Sequence, residues 1–269
     1  IAMGLLVYNK THSKEMLGWI GFAGTIPNTL LMLFGGAIAD RSNKRNLVIG
    51  TQTMFALNAV ILAYLSRSDL LQMYHLVILS LINGITFSID GPARQALIYL
   101  IVGKEDLASG IALQSAAFNL ARIIGPLIAT LLYSKLGPAV CFFLNGLSFL
   151  AVLAAIFWIK TDLTQKEETT GTVWLGLAEG IRHLRSNSLM RSVVSLTAVT
   201  SLTAFSVYST LMPAFSAEKL HIPEADTRYG YLFGALGAGA ILGAYLVGKF
   251  AARKRSGLLM IMGAMTFSI

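Results

Sequence analysis

Two groups of polar residues stand where an apolar chain has little use for them. In GGAIADRSNKRNLVIG, residues 35–50, Asp40, Arg41, Lys44 and Arg45 fall within six positions, while residues 16–39 and 47–65 carry no charge at all. Three cations at the end of an apolar run hold a loop on the inner side of a membrane, a task that needs no acid. Asp40 is suited to something else, accepting hydrogen bonds from the positive N-terminal end of a neighbouring helix. Gly36, one turn earlier, removes a side chain where another helix is to approach. Gly36, Asp40, Arg41, Lys44 and Arg45 are therefore expected to form a conformational latch; the alternative is a topology signal only.

The second group lies inside an apolar run. Ser115, Asn119, Arg122 and Pro126 recur at i, i+4, i+7 and i+11 and make one polar stripe on a helix. Arg122 is about 24 Å past Asp106 along that helix, at 1.5 Å per residue. A cation at that depth faces a partner or a water-filled cavity and marks a functional site; the alternative is a structural ion pair with Asp90. Asn83 and Asp90 share a helix face. Asp90 precedes Gly91-Pro92, so it reads either as the end of a span or as a proton site. The candidate substrate and proton site is thus Arg122, Asn119, Ser115, Asp90 and Asn83. Gly125 and Pro126 are expected to form a helix hinge, because proline removes a backbone donor and glycine admits a neighbour. Glu105 and Asp106 suit the N-terminus of that helix. His12, His75, His183 and His221 have no metal-ligand spacing, and no phosphate-binding loop is present. The expectation is no enzyme, no cofactor and no metal.

The elements that position these residues are membrane spans. Of 269 residues 55% are hydrophobic and 13% charged, and the mean hydropathy is +0.67. A soluble domain carries about a quarter charged residues. A span takes roughly 20 apolar residues, which places the tail of one at 1–8 and others near 16–38, 47–66, 71–90, 106–133, 139–159, 191–215 and 228–248, with a last one starting near 257. The stretches 39–46, 90–106, 160–191 and 249–256 hold fourteen cations against six in the opposite loops, which places the first set in the cytoplasm. The net charge of +8 is therefore spread over inner loops, and no nucleic-acid partner is implied. Cys141 is the single cysteine, so no intrachain disulfide forms. Both ends of the chain lie in apolar stretches, as in a segment of a longer protein.

The long loop 160–191 divides the chain. Its second part spaces Trp174, Leu177, Ile181 and Leu184 along one helical face, as an amphipathic helix on an anionic leaflet does. Gly36 to Arg45 is echoed by Gly248 to Arg255 six spans later. A six-helix unit repeated in one orientation is a transporter architecture. In the eighth span Gly230, Gly234, Gly237, Gly239 and Gly243 suit close helix packing. Thr197, Thr200, Ser201, Thr203 and Ser206 read equally as cavity lining or as self-satisfied hydroxyls.

GAIADRSNKR resembles the loop signature between the second and third helices of the major facilitator superfamily. DGPARQAL at 90–97, NLARIIGP at 119–126 and EGIRHLRSNSLMR at 179–191 are similar to its bacterial drug and siderophore exporters, the enterobactin-exporter-like branch. The resemblance implies an all-α membrane fold of two six-helix halves: 1–160, a linker at 161–190, and the start of the second half at 191–269. It implies that Asp40 meets the eleventh helix, and that Gly125-Pro126 is the exporter signature of the fifth. Asn43 stands for the signature's second glycine and tolerates a left-handed turn. Ala252 stands for Asp40 in the echo. The implied function is secondary active, proton-coupled export of small amphiphilic or siderophore-like molecules by a monomer in a bacterial inner membrane. A lysophospholipid flippase and a non-transporting sensor or scaffold of the same fold remain alternatives.

Overall fold

The structure, a computed structural model, describes residues 2–68, 70–103, 105–159, 182, 184–200, 206–222 and 228, with 231–232, 234–235 and 237–239. Among them every regular element is a helix: α1 (Ala2–Thr11), α2 (Lys14–Arg41), α3 (Lys44–Arg67), α4 (Met73–Val102), α5 (Leu107–Leu136), α6 (Pro138–Trp158), α7 (Ser188–Thr200) and α8 (Ser206–Glu218). Four of these, α3 to α6, contain stretches long and apolar enough to cross a membrane. A fifth is counted if Lys14–Met32 and Phe34–Arg41, inclined by 56°, make one bent span. Large apolar side chains face outward along them, such as Trp158 and Leu113, as a lipid-solvated bundle requires.

Local chemistry ends each helix where a turn is needed. Ser13 caps α2 by accepting from the Met16 N–H. Asn43 caps α3 by accepting from the Asn46 N–H at 3.1 Å. Its backbone is extended, with φ −64° and ψ 110°, so Asn43 works as a cap and the left-handed turn expected of it is absent. Gly103 and Gly137 close α4 and α5 at φ 75° and 81°, conformations that L side chains resist.

The boundary of α4 needs correcting. Gly91-Pro92 was expected to end the fourth span at Asp90, but the helix runs on to Val102 with Pro92 inside it. Arg94 therefore lies within a helix rather than in an inner loop. Proline 92 has no N–H, so the carbonyl of Ser88 loses its intrahelical donor. That carbonyl is the one against which α2 packs: a Cβ built on Gly35 would stand 2.0 Å from the Ser88 oxygen. One turn and more away, a Cβ on Gly84 would stand 2.3 Å from the Gly24 oxygen. The close approach in this contact is made by Gly35, while a Cβ on Gly36 would meet nothing within 4 Å among the described residues.

The α3–α6 contact is similar in kind, Gly146 lying against Val60, Ala59 and the Ala56 carbonyl. Two buried clusters fill the bundle. One, at the end where α1 meets α2, gathers Leu5, Val7, Leu76, Tyr133 and Phe142; the other, beside the 42–45 turn, gathers Ala39, Val48, Ala93, Leu97 and Ile156. The span expected at 191–215 contains α7 and α8, with 201–205 outside the described residues. Trp174, Leu177 and Ile181 of the amphipathic stretch, and the charged echo at 248–255, also lie outside them.

Candidate functional site

At the α2–α3 turn the expected latch residues divide. Lys44 is buried and its ammonium donates to the Asp40 backbone carbonyl at 2.9 Å. Arg45 reaches across the bundle to donate to the Phe157 carbonyl at 3.2 Å, in the last turn of α6. A cation there complements the negative end of that helix, so Arg45 pairs with a helix terminus rather than with an acid. The Asp40 side chain is exposed and makes no salt bridge among the described residues.

Two turns deeper, Asp90 is 1% exposed. Thr51 and Gln52 of α3 donate to its Oδ1 at 2.7 and 2.8 Å, and the Arg94 guanidinium pairs with its Oδ2. All partners are donors, the arrangement an ionised carboxylate wants, and they pin α3 to α4. Arg94 is half exposed, so water shares its charge. Thr51 and Gln52 went unread in the sequence, although adjacent polar residues in an apolar run were a usable signal.

Asp90 is accordingly committed to Arg94, and the alternative of an Arg122–Asp90 ion pair is not formed. Arg122 is exposed on α5, and its guanidinium lies 5.9 Å from the centre of the Phe118 ring, one turn toward Leu107. Asn119 donates to the Ser115 carbonyl at 2.9 Å. Helix α5 is continuous through Gly125-Pro126. Thr130 donates to the Pro126 carbonyl at 2.7 Å and so supports the turn that follows the proline. Ile123 and Leu127 of α5 receive Gly237 and Gly234, where a Cβ would stand 2.2 and 3.6 Å away. This is the face on which the later part of the chain lies against the earlier. Among the described residues a Cβ on Gly239 meets nothing within 4 Å, and Gly230 and Gly243 lie outside them.

Asn83, Gly125 and Pro126 come together in a cavity of about 710 Å³ between α1, α3, α4, α5 and α6, with Phe55, Phe142 and Phe149 on its wall. Its other polar side chains are Asn145 and Ser148, the i and i+3 polar pair of an otherwise apolar α6. That pair was legible and was passed over. Arg122, Asn119, Ser115 and Asp90 do not line this cavity.

At the opposite end from the 42–45 turn, Lys14 of α2 and Glu218 of α8 form a salt bridge at 2.7 Å. The Tyr8 hydroxyl donates to Glu218 at 3.2 Å. Lys14, with help from the Tyr8 hydroxyl, holds the Glu218 carboxyl below its ordinary value against the opposing effect of burial. Two segments over 200 residues apart are tied there, a pairing that no local pattern announces. Among the described residues no group of His, Cys, Asp and Glu has the arrangement of a metal site.

The model of the transmembrane secretion effector family matches residues 1–269. The enterobactin exporters of Shigella boydii serotype 18 and Escherichia coli O139:H28 are each 26% identical over 271 residues, covering 98% of this chain and 62% of theirs. The staphyloferrin A transporter of Staphylococcus aureus is 24% identical over 224 residues, covering 80% of this chain and 54% of its own. The chain thus spans between half and two thirds of the length of these relatives.

Proposed function

The chain belongs to the transmembrane secretion effector family of the major facilitator superfamily, and from that premise we propose that the complete protein is a secondary active transporter rather than an enzyme. It exports a small amphiphilic or siderophore-like molecule across a bacterial inner membrane by alternating access, coupled to protons. Residues 1–160 form the first six-helix half, 161–190 the cytoplasmic linker, and 191–269 the start of the second half. The relatives named for enterobactin and staphyloferrin A support the substrate class.

The observation that carries this reading is Arg122. It stands near the middle of the Ser109–Leu136 span, about 20 Å from either end at 1.5 Å per residue. A cation there costs roughly 3 kcal/mol on insertion scales. The one acid within the neighbouring spans is occupied by Arg94, so a water-lined path between the halves, and an anionic group carried along it, offsets the cost. Asp40, which makes no salt bridge among the described residues, supports a latch that closes on a further helix.

The test is flux in vesicles containing the full-length protein, with a catecholate siderophore, a drug panel and a lysophospholipid as cargo, with and without a pH gradient. Siderophore efflux is expected to follow the gradient and to fall at least tenfold in Arg122→Ala, while thermal stability changes little. Arg122→Lys is expected to be intermediate, because the planar donor fork is lost. Wild-type flux in Arg122→Ala refutes the site; lysophospholipid transport alone, or no flux with any cargo, refutes the function.

A further inference from the structure

The cavity beside Pro126 has a chemistry that differs from that of Arg122. Its wall is aromatic and aliphatic, with Phe55 and Phe149 stacked at 5.5 Å between ring centres and 22° between planes, and among the described residues no Asp, Glu, Lys or Arg lines it. Asn83 and Asn145 reach it from α4 and α6, and neither side-chain amide has a hydrogen-bond partner among the described residues. Asn83 and Ser148 lie about 15 Å, and Asn145 about 10 Å, from the helix starts at Met73 and Pro138, at 1.5 Å per residue. Pro126 lies about 15 Å from the end of α5 at Leu136. These helix ends share one side of the bundle, so the polar groups converge at one depth, near the middle of a hydrocarbon layer roughly 30 Å thick. Asn83 is half-buried and Asn145 exposed to the open cavity, so both amides are placed to meet a ligand carrying hydroxyl or carbonyl groups. Arg122 shares the α5 face but turns its guanidinium toward Phe118, away from the cavity.

We propose that this cavity is a binding site for an uncharged aromatic group bearing a hydroxyl or carbonyl, with the stacked pair Phe55 and Phe149 offering the ring one aromatic wall and Asn83 and Asn145 taking its polar substituent. The volume of about 710 Å³ is in the range of small-molecule sites. The proposal deepens the transport reading by giving the substrate path a neutral, aromatic-selective compartment, yet binding there needs neither a proton gradient nor Arg122.

Cys141 lines the same cavity and supplies the readout. The full-length protein in lipid nanodiscs is treated with N-ethylmaleimide, and alkylation of Cys141 is followed by peptide mass spectrometry. The probes are 1-naphthol, which is neutral at pH 7, and 1-naphthoate, which has the same rings and a charge. Saturable protection by 1-naphthol is expected, with 1-naphthoate at least tenfold weaker because its carboxylate finds no cation. Asn83→Ala and Asn145→Ala are each expected to weaken 1-naphthol about tenfold, and Ser148→Trp to abolish protection by filling the space. Protection that never saturates, equal protection by the anion, or unchanged affinity in both asparagine variants overturns the proposal. If those variants do not fold, the comparison of the two probes on the wild-type protein decides alone. Arg122→Ala is expected to keep 1-naphthol binding, so loss of flux with binding retained marks a failure of transport and not of the cavity.

Discussion

Alanine at Gly84 or Gly35 tests the α2–α4 contact on which the first half is built. The new methyl at Gly84 would stand 2.3 Å from the Gly24 carbonyl oxygen, and that at Gly35 would stand 2.0 Å from the Ser88 oxygen. Both obstacles are backbone, so no rotamer change relieves them, and the helices must part by about 1 Å to restore ordinary contact. Overpacking of a tight interface costs about 1–3 kcal/mol, and the upper end applies where the obstacle is main chain. Replacing a helical glycine returns up to about 1 kcal/mol of helix propensity. The net expectation is a loss of about 2 kcal/mol for each variant. The double variant should lose less than the sum, because one separation relieves both clashes. Gly50→Ala is the control: among the described residues its Cβ meets nothing within 4 Å, so it should gain about 0.5–1 kcal/mol. Thermal unfolding of the purified full-length protein reads these differences. Gly84→Ala and Gly50→Ala shifting the midpoint in the same direction would falsify the close α2–α4 contact.

Asp90→Asn is expected to destabilise by about 2 kcal/mol, since it weakens hydrogen bonds to a buried charge. Arg94→Gln should cost less, because that guanidinium is half exposed and water already shares its charge; the reverse order in thermal unfolding would contradict the hub. Asp40→Asn in the full-length protein should cut transport sharply with normal membrane insertion, and wild-type flux would reduce the loop to a topology signal. Lys14 holds Glu218 below its ordinary value, so the tie between α2 and α8 is present above the ordinary carboxylate range and is lost as pH falls through the lowered one. The difference in thermal unfolding midpoint between the wild-type protein and Glu218→Gln should therefore hold from neutral pH down to the ordinary carboxylate range and shrink only in stronger acid. Equal midpoints at neutral pH would remove the tie from the account.

The spans were legible because their lengths are set by the bilayer and their ends by charge: α3, α5 and α6 end within about a turn of where apolar runs and cations put them. The overrun of α4 was not, since Gly91-Pro92 is a strong local breaker. Helix α2 packs Gly35 against the carbonyl that Pro92 frees, a tertiary contact that no local pattern announces. The sequence pattern singled out the motif glycine Gly36 and not Gly35 beside it, which makes that contact with α4. A cation-rich turn announced Asp40 and Arg45 as notable but could not say that Arg45 holds a helix end, because Phe157 lies 112 residues away. Asn83 was identified by its helix face. Its companion Asn145 was missed, although the spacing from Ser148 is as plain as the stripe on α5.

The hydrogen bond from Arg45 to the Phe157 carbonyl has a mechanical meaning. Helix α6 ends at Trp158, and two residues later the chain enters the 160–191 stretch. Arg45 therefore fastens the turn after α2 to the point where the chain leaves α6. A displacement of the last turn of α6 is handed sideways, through one guanidinium, to the segment bearing Asp40.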